Sequence, residues 1–98
     1  MFRNQITVGG VITDLISPRY TPAGIMVVEF KLNHQSDQQE AGAQRSIELA
    51  IEVIAMAKMA EKVICAGLDR NIEITGFIAK KHRLGNQLVL HVCDVRII

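Results

Sequence analysis

Long apolar stretches are absent from this sequence. No apolar run approaches the ~20 residues that a membrane-spanning helix needs, and residues 1–5 lack the apolar stretch of a signal peptide. We therefore expect no contact with a membrane. Hydrophobic residues nevertheless make up 49% of the chain, which is enough for a core. The 98 residues are expected to form one small domain that spans residues 1–98.

Residues that bind metals are few and scattered. Cys65 and Cys93 have no CxxC spacing, which favours reduced thiols of a cytoplasmic protein over a zinc site. His34, His82 and His91 also lack the spacing of metal ligands. A Gly-rich phosphate loop and a nucleophile paired with a base are missing as well. We therefore predict no metal, no cofactor and no enzymatic activity.

A strong net charge is missing too. The formal net charge is +1 and the isoelectric point is 7.8, whereas a dedicated nucleic-acid binder often has a value above ~9. The charge is unevenly distributed, however. Residues 1–78 contain seven Lys/Arg and nine Asp/Glu (net −2), and residues 79–98 contain four Lys/Arg and one Asp (net +3). Any anion-binding surface is expected to be local, and any affinity for nucleic acid to be modest.

The positive charge is concentrated in residues 80–86, which we call the basic loop. Strand periodicity flanks this loop over residues 71–79 and 87–97. The side chains that carry positive charge there, or gain it on protonation, are Lys80, Lys81, His82 and Arg83. A hairpin tip of this kind can hold cations out towards the phosphates of a polyanion. The alternative is a solvated turn without a ligand.

The hydrophobic pattern predicts five strands and one helix. Residues 17–24, the proline loop, join the first two strands, and the polar residues 34–44 indicate a second loop, which we expect to be mobile. The elements are predicted in order at residues 4–16 (bent at Gly9-Gly10), 26–33, 45–54, 55–66 (the helix), 71–79 and 87–97.

This β-β-β-α-β-β order is typical of the OB-fold, an all-β five-stranded Greek-key barrel with, in this chain, one short helix. The fold binds oligonucleotides or oligosaccharides on the face of its second and third strands. The loops that join strands 1 and 2 and strands 4 and 5 flank this face. In this chain those loops are the proline loop and the basic loop.

Five short segments lie in the order and spacing of one protein family. They are Thr21-Pro22-Ala23-Gly24-Ile25, Phe30-Lys31-Leu32-Asn33-His34, Gln39-Glu40-Ala41-Gly42, Gly76-Phe77-Ile78 and Val89-Leu90-His91. In these segments the chain resembles bacterial primosomal replication protein N (PriB), a relative of bacterial single-stranded-DNA-binding protein. The resemblance implies a cytoplasmic homodimer that binds single-stranded DNA. It further implies action with the PriA helicase and the loader DnaT to reload the replicative helicase at stalled forks.

The resemblance and the charge pattern together predict a set of DNA-binding residues. Arg19 keeps the family's basic position before the Pro-x-Gly motif, and the basic loop keeps its character although it looks shorter. Gln87 lies near a position where a further lysine is expected. The predicted DNA-binding residues are Arg19, Tyr20, Lys31, Arg45, Lys80, Lys81, His82 and Arg83. For Tyr20, stacking on a base and covering the prolines stay equally open.

Aromatic residues are missing where the family has them. Ala43 and Glu48 stand in and after the second loop, where the family places bulky rings, and the chain has no tryptophan. Stacking of one base contributes ~1–3 kcal/mol, and a carboxylate repels phosphate, so we expect weak DNA binding on this face. Glu48 and Glu52 share one strand face and form an expected acidic strip for a basic partner. The alternative function is therefore a protein–protein interaction module of the primosome with weak nucleic-acid binding.

Overall fold

The computed structural model describes all 98 residues and contains six strands and one helix. The strands are β1 (Ile6–Thr13), β2 (Arg19–Tyr20), β3 (Met26–Glu40), β4 (Ala43–Met56), β5 (Asn71–Lys80) and β6 (Leu88–Ile97), and the helix α1 (Lys58–Ala66) follows β4. The strand order is β1-β5-β6-β4-β3-β2, and a further β1–β3 pairing closes the sheet. The five long strands thus form a closed barrel with one short helix, which confirms the predicted OB-fold. β2 is a two-residue addition inside the proline loop.

Closure of the barrel depends on Gly10, the second residue of the glycine pair in β1. Residues 6–11 of β1 pair with β5, and residues 11–13 pair with β3. A Cβ atom at Gly10 would overlap the carbonyl oxygen of Asn33 in β3. Glycine therefore lets the two strands approach at the point where β1 passes from one neighbour to the other. The predicted bend of the first strand at these glycines stays a prediction, whereas the change of partner strand directly follows them.

Alternating apolar residues of the strands fill the barrel. Phe30 and Leu32 of β3 face inward with Val53 of β4, as their spacing predicts. The core cluster consists of Ile12, Val28, Phe30, Leu32, Val53, Ala55, Ala60, Val63, Ile72, Ile74 and Leu90. Ala60 and Val63 come from α1, so the helix packs against the barrel.

The helix begins later than predicted. Ala55 and Met56 are good helix formers, but they pair with Val28 and Val27 as the last residues of β4. Ala57 then adopts a positive φ of 54°, and α1 begins at Lys58. Strand pairing thus overrides the local helix propensity of residues 55–57. The helix has nine residues and is neither long nor apolar enough to cross a membrane.

The expectation of an irregular second loop at residues 34–44 is wrong. β3 and β4 continue through this segment as an antiparallel hairpin, and the register runs to Glu40 opposite Ala43. The turn residues Ala41 and Gly42 have φ values of 53° and 78°, as a two-residue type I′ turn requires. We call residues 34–49 the hairpin arm. Most residues from 35 to 46 are exposed on both sides, so the sequence shows no apolar alternation until Ile47 and Leu49.

Candidate nucleic-acid interface

A shallow cleft lies on the outer face of β3 and β4, between the proline loop and the basic loop. Lys31 and Glu52 are cross-strand partners on this face, because their neighbours Phe30 and Val53 point into the core. The residues that line the cleft are Asp14, Ile16, Glu29, Phe30, Lys31, Glu52, Val53 and Lys81. This is the face on which OB-folds bind oligonucleotides.

Every cation at the cleft has a carboxylate partner. The ion pairs join Arg19 Nη2 to Glu29 Oε2 at 3.1 Å, Lys31 Nζ to Asp14 Oδ2 at 3.8 Å and Lys81 Nζ to Glu52 Oε1 at 3.3 Å. Arg19 borders the cleft through Glu29, and with it three positive and three negative groups balance. All six side chains keep some exposure to solvent. Such pairs contribute only about 0–1 kcal/mol each, so a phosphate can compete with the carboxylates.

Lys81 and Glu52 are less exposed to solvent than expected. Lys81 is not held out into solvent, because its side chain and that of Glu52 are each only 30% exposed. Glu52 also accepts a hydrogen bond from Gln87 Nε2. The basic loop therefore covers Glu52, and this carboxylate is not part of an open acidic strip. Gln87, which stands where a lysine was expected, strengthens this arrangement.

Glu48 is separated from Glu52 by four strand residues, or about 13 Å. Its side chain is exposed, as predicted, and it accepts a hydrogen bond from Gln35 Nε2 at 2.7 Å. The two glutamates therefore have separate neighbours and do not act as one acidic surface. Recognition of a partner by Glu48 stays a prediction.

The basic loop presents the free cations of this region. Lys80, His82 and Arg83 are exposed and make no ion pair or side-chain hydrogen bond. The Lys81 N–H donates to the Gln87 carbonyl at 2.8 Å, and the Gly85 N–H donates to the His82 carbonyl at 3.1 Å. These bonds fix the loop backbone while the side chains of Lys80, His82 and Arg83 stay in solvent. Their contact with DNA stays a prediction.

Arg45 lies apart from the other predicted DNA-binding residues. It is on the hairpin arm, where it pairs with Glu40 near the turn. Seven strand residues separate it from Glu52, which corresponds to about 23 Å. The structure therefore brings together Arg19, Lys31 and Lys81 but not Arg45.

Tyr20 and Phe77 have different surroundings in the structure. Tyr20 is 64% exposed on β2, beside the cleft residue pair of Arg19 and Glu29. Phe77 of β5 is 40% exposed on the outside of the barrel, and its ring stacks on His91 of β6 with centroids 4.9 Å apart. This pair was not predicted from the sequence as part of a site. The sequence places the two residues in neighbouring predicted strands, but their direct pairing depends on the register set by the bulge at Thr75 and Gly76.

Comparisons with known proteins agree with this geometry. Residues 4–94 match the model of a family described as another single-strand binding protein family. The replication restart protein PriB of Nitrosomonas europaea is 67% identical over 96 residues, which cover 98% of this chain and 89% of that protein. PriB of Neisseria meningitidis serogroup B is 31% identical over 96 residues, covering 97% and 94%.

Solved structures show the same fold. PriB of Ralstonia solanacearum superposes with a TM-score of 0.89 at 27% identity and covers 98% of both chains. The single-stranded DNA binding protein of Thermus aquaticus gives a TM-score of 0.73 at 20% identity, covering 98% of this chain and 50% of that one. At that identity the second likeness concerns the fold alone. The family model and the two relatives together show that the chain belongs to the family of the replication restart protein PriB.

Proposed function

We propose that the chain binds single-stranded DNA without sequence preference as a non-enzymatic accessory protein of replication restart in the bacterial cytoplasm. The observation that carries this proposal is the pair of exposed, unpaired cations on the basic loop, Lys80 and Arg83, beside the β3–β4 face of an OB barrel. Lys80 and Arg83 contact phosphates directly. The cations of the cleft contribute when a phosphate replaces their carboxylate partner. The whole of residues 1–98 acts as one binding unit.

The mechanism is mainly electrostatic, so its affinity depends on salt. Each phosphate contact with single-stranded nucleic acid contributes roughly −0.7 to the slope of log affinity against log salt, so two to four contacts give about −1.4 to −2.8. Fluorescence anisotropy with labelled oligo(dT) over a series of salt concentrations measures this slope. A duplex of equal length serves as the control and should bind more weakly. Absence of binding to oligo(dT) at low salt would overturn the proposal.

In this role the chain would hold exposed DNA and recruit the PriA helicase and DnaT. The Neisseria and Nitrosomonas relatives carry the name of a replication restart protein, which supports this context. A pull-down of purified PriA and DnaT with and without oligo(dT) tests the recruitment. If neither protein associates under either condition, recruitment is wrong while DNA binding still stands.

A second candidate function is that of a protein-interaction module. The charge balance of the cleft favours it, because three cations are already paired with three carboxylates. In that case the helicase occupies the β3–β4 face and DNA binding is secondary. Competition distinguishes the two functions: an excess of oligo(dT) displaces the helicase only if both use this face.

We further propose that the chain is a homodimer. Residues Ile6–Gly10 of β1 pair with β5 on one edge only, because the pairing with β3 starts at Val11. Beyond Asn33, β3 pairs with β4 only. Open edges of this kind invite a second chain. Light scattering at micromolar concentration should give about twice the monomer mass of 10.9 kDa, and a monomer mass would contradict the proposal.

A further inference from the structure

The stacked pair of Phe77 and His91 stands outside the structural core. Phe77 is 40% exposed, and neither residue belongs to the core cluster. The two rings are 4.9 Å apart between centroids and almost parallel, with an interplanar angle of 3°. Parallel planar rings form a stack that a further planar ring can extend.

The strand register connects this pair to the cleft. His91 is the partner of Phe77 across β5 and β6, and Ile54 is the partner of His91 across β4 and β6. Ile54 is in turn the partner of Glu29 on β3, and Glu29 holds Arg19 at the cleft. Cross-strand partners share a face of the sheet. The row therefore runs over the outer barrel surface from the aromatic pair to the cleft, a distance of about 14 Å for three strand spacings.

We propose that Phe77 and His91 form a base-stacking platform, a second contact zone for single-stranded DNA next to the cleft. This inference rests on the proposed function. A nucleobase is planar, and every base has a π-face that stacks on aromatic rings irrespective of sequence. Lys80 follows Phe77 by three residues, about 10 Å along β5, and alternation turns its side chain to the opposite face of the strand. Stacking on the platform and phosphate contacts of the basic loop are therefore separate. The hairpin arm has Ala43 and Glu48 at the positions where the family places bulky rings. The platform supplies the base stacking that the arm therefore lacks.

The experiment separates stacking from charge. Phe77→Leu keeps the apolar bulk but removes the ring, and we expect the affinity for oligo(dT) to fall at least fivefold. The salt slope should stay unchanged, because no phosphate contact is lost. Phe77→Tyr keeps the ring and should bind like the wild type. Lys80→Ala is the contrasting variant, with a slope shallower by about 0.7. Thermal unfolding of each variant verifies the fold.

The absence of tryptophan from the chain permits a direct readout. Phe77→Trp places a single tryptophan on the platform, and its fluorescence should be quenched when oligo(dT) binds. Leu68→Trp is the matched control: Leu68 is 58% exposed in the connection between α1 and β5, away from the basic loop. Its fluorescence should not change on DNA binding.

Each outcome is decisive. If Phe77→Leu binds oligo(dT) as tightly as the wild type while Lys80→Ala binds more weakly, the platform is wrong and the proposed function stands. If the wild type does not bind oligo(dT) at all, the proposed function fails, and the platform fails with it. If Phe77→Leu loses only helicase association, the pair contacts a protein and not a base, which also overturns the inference.

Discussion

The cations of the cleft, which include Lys81 of the basic loop, and the remaining cations of that loop differ in how they are neutralised. In the cleft, Arg19, Lys31 and Lys81 each lie within 4 Å of a carboxylate oxygen. On the basic loop, Lys80 and Arg83 have no such partner. A count of Lys and Arg therefore does not measure the attraction for a phosphate. What matters is whether a phosphate meets a free cation or must first displace a carboxylate.

The largest effect is expected when the free cations are removed. The double variant Lys80→Ala/Arg83→Ala loses two charge-assisted contacts, so its binding free energy for oligo(dT) should weaken by about 3 kcal/mol. Its salt slope should become shallower by about 1.4. The measurement is anisotropy over a salt series. An unchanged salt slope would mean that DNA contacts the paired cations of the cleft and not the free cations of the basic loop.

A smaller gain is expected from the hairpin arm. Glu48→Trp removes an exposed carboxylate and adds a ring, so single-stranded-DNA binding should strengthen by ~1–3 kcal/mol. Fold stability should hardly change, because the residue is exposed. The matched control Glu48→Gln removes the charge without adding a ring and should give only a part of the gain. Loss of helicase association with unchanged DNA affinity would assign this surface to a protein partner.

A still smaller effect should follow when one cleft cation is released. Glu52→Gln leaves Lys81 without its carboxylate, so oligo(dT) should bind about 0.5–1 kcal/mol more tightly, in the range of an exposed ion pair. The salt slope should become steeper by about 0.7, since Lys81 becomes a full phosphate contact. Lys81→Ala in the wild-type background should alter the slope by less than this. If Glu52→Gln and the wild type bind alike, Lys81 does not face the DNA.

The smallest effect is expected at Arg45. Its partner Glu40 neutralises it, and the cleft lies about 23 Å away along β4. Arg45→Ala should therefore change the affinity for a short oligo(dT) by less than about 0.5 kcal/mol. A longer oligonucleotide is the informative second substrate. A clear loss that appears only with the longer DNA would show that the strand follows the hairpin arm.

The barrel could be predicted from the sequence because one face of each of its strands is buried. Phe30, Leu32 and Val53 alternate with polar residues, and this alternation identifies the strands. Residues 34–44 of the hairpin arm escaped prediction as strands since neither face is buried there and the turn, Ala41-Gly42, lacks the usual Asn-Gly or Asp-Gly pair.

The residues of the candidate site could be predicted from the sequence, but the ion pairs between them could not. The exposure of the basic loop followed from its position between two strands. The ion pairs did not, because Lys31 and Asp14 are 17 residues apart and Lys81 and Glu52 are 29 apart. Only the closed barrel places these groups together. The stack of Phe77 on His91 likewise depends on a register that includes a bulge at Thr75 and Gly76.

The projecting hairpin arm has a consequence for local unfolding. Its outer residues, such as Gln38 and Gln44, are exposed and pair only with each other's strand, whereas the barrel strands share a packed core. An element with few buried apolar contacts opens at a lower free energy than the whole molecule. Amide hydrogens of the arm should therefore exchange with solvent well before those of β5 and β6. Protection that appears there on addition of DNA, helicase or a second copy would identify what covers the arm.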